Sequence, residues 1–159
     1  MHTVEGLLEL HSLTHAATAK LLRHCAKLSP DEFVREVPGF GFPTVHQQLF
    51  HIIDCEEWWL GGLSGLSQAT HQPEEFADVA ALEDYRQQIA ALTAGYLRGL
   101  SSEELNTPRQ FTSGEHRGAV QKPAVFFLHA MTHAFHHKGQ TVAMCRLLGH
   151  PAPETDLID

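Results

Sequence analysis

Four stretches of this chain repeat their apolar residues at steps of three and four, and little of it alternates as a strand would. That period lines the apolar side chains along one face of a helix. In the first stretch, 4–27, the face is Val4, Leu8, His11, His15, Thr18, Leu22 and Cys25. Ser29-Pro30 ends it, because proline restricts the residue before it. The second, 44–61, opens at Thr44, with Gln47 in capping-box spacing. Its stripe is Val45, Leu49, Ile52, Glu56, Trp59 and Leu60, and Gly61-Gly62 is expected to stop it. Asp78 is the expected N-cap of the third, 79–100, whose face reads Leu82, Tyr85, Ile89, Leu92, Tyr96 and Leu100. The fourth, 121–148, has Pro123 in its first turn and closes at Gly149 and Pro151. Its inner face is Phe126, His129, Ala130, His133, His137, Gln140, Met144, Leu147 and Leu148. Four amphipathic helices bury their stripes against one another, so the expected fold is an all-α four-helix bundle in one domain over 1–159.

The connections constrain the order. Residues 62–78 are mostly small or polar and long enough to cross the bundle, so a simple up-down-up-down arrangement is not imposed. Residues 101–120 carry Pro108, Gly114 and Gly118 and have room for a short hairpin.

Composition narrows the partners. With 159 residues, 43% hydrophobic and 19% charged, the chain has material for a real core. A net charge of −8 with 11 scattered basic residues disfavours nucleic acid and anionic membrane, which need clustered Lys and Arg. No stretch reaches the roughly 18 apolar residues of a membrane span, and MHTVEGLLELHS lacks a signal peptide's basic start and apolar centre. Three cysteines, Cys25, Cys55 and Cys145, with no CxxC, argue for reduced thiols in a cytoplasm. A small-molecule substrate and a homodimer are the expected partners.

Thirteen histidines are many for this length, and several lie inside the apolar stripes. A buried imidazole needs a hydrogen-bond partner, and protonated neighbours repel. A shared metal removes both problems, because neutral imidazole is a good ligand. His133 and His137 stand four apart, on one helix face, and His51 comes from a neighbouring helix. His129 and His133 make an equally good pair. The motif is not HExxH, so no glutamate base lies between the ligands. His136 points about 100° from His137. His11 and His15 could orient a ligand, though structural burial explains them as well. Cys55, one turn from His51, would be a soft fourth ligand; Glu56 could act as a base or sit in a buried charge pair. Trp58 and Trp59 suit a core or a dimer contact. His46, His71, His116 and His150 read as loop or surface residues. Gly139 is expected to permit close helix approach.

The runs LFHIIDCEEWWL and HAMTHAFHHKGQ together resemble the DinB/YfiT family of metal-dependent bundle proteins. The family pattern is a histidine before an aromatic-rich end of helix two and H-x-x-x-H-[RK]-G-Q on helix four, here His51 with Trp58-Trp59 and His133 through Gln140. The resemblance covers nearly the whole chain. It implies an up-down-down-up bundle and a divalent metal held by His51, His133 and His137. Helix-face position separately makes His129, His136, Gln140, His11 and His15 candidates for supporting roles around that site, with Gln140 donating to a metal-bound water.

The activity it implies is thiol-dependent S-transfer, as in characterised relatives that also include a thiol-dependent maleylpyruvate isomerase. There a metal-bound low-molecular-weight thiol attacks an electrophile, and the protein needs no nucleophile of its own. Zinc, nickel or iron suits such a site. The alternatives are a non-catalytic metal-binding or stress-response protein and a metal-dependent hydrolase. Metal occupancy is expected to fall as pH drops through the ordinary histidine range near 6.5.

Overall fold

A computed structural model describes residues 1–65, 70–112 and 117–157. The long helices are α1 (Val4–Cys25), α3 (Val45–Ser64), α4 (Val79–Arg98) and α6 (Pro123–Leu147), with short helices α2 (Pro30–Phe33) and α5 (Ser102–Asn106) between them. Each long helix but the last has a polar N-cap: Thr3, Thr44 and Asp78 accept from backbone N–H groups of the first turn. Pro123 begins α6, where a missing N–H costs nothing.

Contacts fix the helix directions. Cys25 meets Cys145 and His24 bonds the His150 carbonyl, so α1 and α6 run parallel. Gln48 bonds Gln140 while Trp59 packs on Phe126, so α3 runs against α6. Tyr85 reaches Asp54 and Tyr96 reaches Leu63, so α4 is parallel to α3. The bundle is therefore up-down-down-up, with α1 between α4 and α6 and diagonal to α3. A parallel α3–α4 pair needs a crossover about as long as a helix, roughly 30 Å. The 14 residues between Ser64 and Val79 can span more than that, up to about 48 Å.

Several sequence expectations shift. α3 continues through Gly61-Gly62 and is capped by Gly65 at φ 73°. Gly62 is in the helix because the Phe111 ring lies on it: a Cβ there would stand 1.7 Å from Phe111 Cζ. On α4, Thr93 and Leu97 face inward while Leu92 is 56% exposed. Thr93 lies about 20° from Leu82 around the helix and Leu92 about 80°, so the stripe favours the smaller residue. Leu147 also faces outward. Gly139 has nothing near it, so close approach is not its role. The hairpin exists, pairing Arg109 with Gln121 and Gln110 with Val120; Gly114 and His116 lie outside the described residues. His46 is not a surface residue: it is buried on α3, with Nε2 2.8 Å from the Phe76 carbonyl.

The apolar core falls into two clusters. One, around Leu22, Leu49, Ile53, Leu82 and Met144, fills the end of the bundle where α1 and α6 finish. The other, around Leu7, Leu60, Leu97, Phe111 and Phe127, fills the opposite end. Between them lies a polar waist holding His11, His15, Glu56 and Arg86, and His51, His133 and His137.

Candidate metal centre

Among the described residues, two groups of side chains, both in the waist, could hold a metal ion, and each offers three ligand atoms within 4.8 Å of one another. The first is His51 of α3 with His133 and His137 of α6. Because α3 and α6 are antiparallel neighbours, one turn of each presents its histidines to the other. His51 Nε2 stands 3.3 Å from His133 Nε2, and the His51–His137 and His133–His137 ring centroids are 4.5 and 4.4 Å apart. Two nitrogens about 2.0–2.1 Å from a tetrahedral ion are about 3.3–3.4 Å apart, so the first spacing fits a zinc-like centre.

The hydrogen bonds around His137 fix its tautomer. The Gln48 amide donates to the Phe42 carbonyl, which can only accept, at 2.9 Å and to Gln140 Oε1 at 2.8 Å. The Gln48 oxygen is thereby turned to His137, whose Nδ1–H donates to it at 2.7 Å. The Nε2 lone pair is left for the centre, as a metal-ligating histidine requires. Phe42 stacks on His51 with centroids 4.0 Å apart. His133 is held less: its Nδ1 is buried with no hydrogen-bond partner among the described residues.

All three imidazoles are pushed down to about 4: burial disfavours the cation, and the neighbouring imidazoles repel it (His133 for His51, His137 for His133, His51 for His137). They are neutral at physiological pH, which is the ligand form. One side of the group opens into a cavity of about 320 Å³ lined by His51, Asp54, Cys55, Trp58, Trp59, His129 and His133.

The second group is His11, His15 and Glu56. Glu56 crosses the bundle from α3 to α1 and takes His11 Nε2 at 2.8 Å and His15 Nε2 at 2.9 Å, one on each oxygen. Burial pushes its carboxyl up, but His15 and His11 outweigh this and hold it below the usual carboxylate range. Arg86 Nη1 stands 3.2 Å from His15 Nδ1 and can only donate. His15 therefore carries its hydrogen on Nε2, aimed at Glu56. A cation at that nitrogen would have to move the hydrogen to Nδ1, into the guanidinium. The second group is a closed hydrogen-bond network and a poor metal site.

The other sequence candidates separate. His129 is exposed at the cavity rim, edge-on to Trp59 at 4.9 Å, and outside the three-histidine group. Gln140 does not face a metal water. Its amide donates to His136 Nε2 at 2.7 Å while its oxygen holds Gln48, so it and His136 extend the chain behind His137. Cys55 Sγ is 4.0 Å from His133 Nε2, and burial raises its thiol to about 12 despite a bond to Trp59. His71 and His150 are half-buried beside Glu75 and Glu32. Sequence reasoning missed two residues. Gln48 and Asp54 lie three residues before and after His51, on its helix face, and that spacing was the available signal. Asp54, not Glu56, is the carboxylate on the cavity; burial, and then Glu57, raises its pKa.

The chain belongs to the DinB family, whose model matches residues 1–159. Its fold is similar to that of a DinB-like protein from Bacillus cereus ATCC 10987, at TM-score 0.75 and 21% identity over 96% of this chain and 97% of that one. A conserved protein from Enterococcus faecalis is also similar, at TM-score 0.69 and 20% identity over 94% and 99% of the two chains. At these identities the likeness shows the fold. No curated protein matches the chain. No helix of the described residues is long and apolar enough to cross a membrane.

Proposed function

We propose that this protein is a metal-dependent enzyme of the thiol-dependent S-transferase type, using a divalent metal held by His51, His133 and His137. The observation that carries this reading is the open side of the three-histidine group. The ligand face borders a cavity large enough for a small molecule, where a storage or sensing site would be sealed by side chains. A divalent metal bound by three neutral imidazoles keeps its full charge and supplies the acidity that turns an incoming low-molecular-weight thiol into a thiolate.

The chain's own residues do the rest. Gln48 holds His137 in the ligating tautomer, and Phe42 fixes the plane of His51. Trp58 and Trp59 wall the cavity, exclude water and offer flat apolar faces to the carbon skeleton of an electrophile. Asp54 is the carboxylate placed to take the thiol proton. A metal-dependent hydrolase is the second reading, because Asp54 also supplies the base such chemistry needs.

Elemental analysis of the untagged protein, followed by a panel of cellular thiols against monochlorobimane, tests the proposal. Conjugation that disappears on chelation and returns with added metal supports it. Activity in a Cys25, Cys55 and Cys145 to Ala variant, with none in His137→Ala, assigns the attacking sulfur to the co-substrate. Metal-loaded protein that turns over no thiol, yet hydrolyses ester or amide substrates in an Asp54-dependent way, favours the hydrolase.

A further inference from the structure

We infer that Cys25 and Cys145 are an oxidisable dithiol that closes to a disulfide, joining the C-terminal ends of α1 and α6. Their sulfurs are 3.7 Å apart, on parallel neighbouring helices. A disulfide is about 2.0 Å long, so the sulfurs must approach by less than about 2 Å. Both lie where helices open most readily: Cys25 is the last residue of α1, and Cys145 is in the last turn of α6.

Either sulfur can donate its S–H to the other. The shared bond helps one sulfur to ionise beside a thiol that stays protonated, against the opposing effect of burial. Both are buried, at 1% and 0% exposure, which excludes bulky reagents. Cys25 borders a cavity of about 440 Å³ between the end of α1, α2 and residues 77–80, an entry for a small oxidant.

The oxidant is a hydroperoxide. The thiolate of one cysteine attacks its outer oxygen, the O–O bond breaks, and the leaving oxygen departs as alcohol or water with the proton that thiol gave up. The sulfur of the other cysteine then attacks the oxidised sulfur, the S–O bond breaks, and hydroxide leaves with the second thiol's proton as water. Two thiols lose two electrons and two protons, and the peroxide is reduced. Nothing in this scheme uses the metal centre.

The test treats the full chain with hydrogen peroxide, alkylates free thiols, and maps peptides without reduction. The expected product has lost two hydrogens and links the peptides of Cys25 and Cys145. The link closes a span of 120 residues, so the oxidised form should melt higher by on the order of 5–10 °C. Dithiothreitol should reverse both changes. Cys55→Ser should behave as wild type; Cys25→Ser and Cys145→Ser should lose the link. The inference is overturned if Cys55→Ser keeps both thiols alkylatable after peroxide, if Cys145 gains oxygens without a link, or if the link uses Cys55 or joins two chains. Cys55→Ser leaves the pair intact, so the test stands even if the other variants do not fold.

Discussion

The two histidine groups of the waist use the same side chain and differ in what each nitrogen has to do. On α1, His11 and His15 both donate to Glu56, and Arg86 occupies the far side of His15, so the group is electrostatically complete. Between α3 and α6, His51 and His133 point nitrogen at nitrogen, with no carboxylate among the three residues. The protein stabilises the first group by itself. It builds the second as a concentration of lone pairs beside a cavity, which a cation would complete. Both groups gather three ligand atoms within 4.8 Å; the partners set by the surrounding helices decide which is a ligand set.

The sharpest way to break that contrast is to remove ligands from each. His51→Ala, His133→Ala and His137→Ala should each abolish bound metal in elemental analysis, while His11→Ala and His15→Ala keep wild-type stoichiometry. Loss of metal in His15→Ala would mean that the closed network is not closed. The reverse asymmetry should hold for stability. Glu56→Ala leaves two buried imidazole donors without an acceptor, and should cost about 2–4 kcal/mol in urea denaturation. His51→Ala in metal-free protein should cost less, because it also removes a repulsion. A smaller effect belongs to Gln48. Gln48→Ala frees the His137 ring and should weaken metal affinity about 10–100-fold, read by competition with a chromophoric chelator. Gln140→Ala acts only through Gln48 and should weaken it less.

Much of this contrast was latent in the sequence, and the reason it was incomplete is physical. The four stripes imply the bundle because each helix must bury a face, and Thr44, Asp78 and Pro123 mark helix starts through local backbone chemistry. The i, i+4 spacing brings His133 and His137 onto one face but serves His129 equally; what excludes His129 from the group is where α3 sits across from α6, a tertiary fact. Likewise the sequence leaves Glu56 open between a base and a buried charge pair, and only its tertiary neighbours, His11 and His15 of α1, decide for the pair. Gly61-Gly62 reads as a stop because the ring of Phe111, some fifty residues on, is not visible in the local pattern. The roles of Gln48 and Asp54 depend on which neighbour each meets, and spacing alone only places them beside His51.

A further effect, and the one that separates the groups without touching metal, is the pH dependence of metal-free stability. The three imidazoles of the open group fall from 6.5 to about 4 on folding. Between those values the unfolded chain binds protons that the folded chain refuses. Metal-free stability must therefore fall as pH drops from about 6.5 toward 4, and level off below that as far as these groups are concerned. Glu56 is also depressed on folding, but from an ordinary carboxylate value of 4.5, so its contribution is intact above that pH and is lost only below it. In the window from pH 6.5 to 5, then, the open group titrates and Glu56 is silent. Melting temperatures in the presence of a chelator should decline across this window, and the decline should be shallower in His51→Leu, which removes one depressed imidazole and relieves its neighbours. Glu56→Gln should lower the whole curve. The same depression means that protons compete for the ligands at lower pH than the ordinary 6.5, so metal release should be displaced toward 4–5. An unchanged slope in His51→Leu, or release centred at 6.5, would show that the three imidazoles are not the neutral, mutually repelling set that a cation completes.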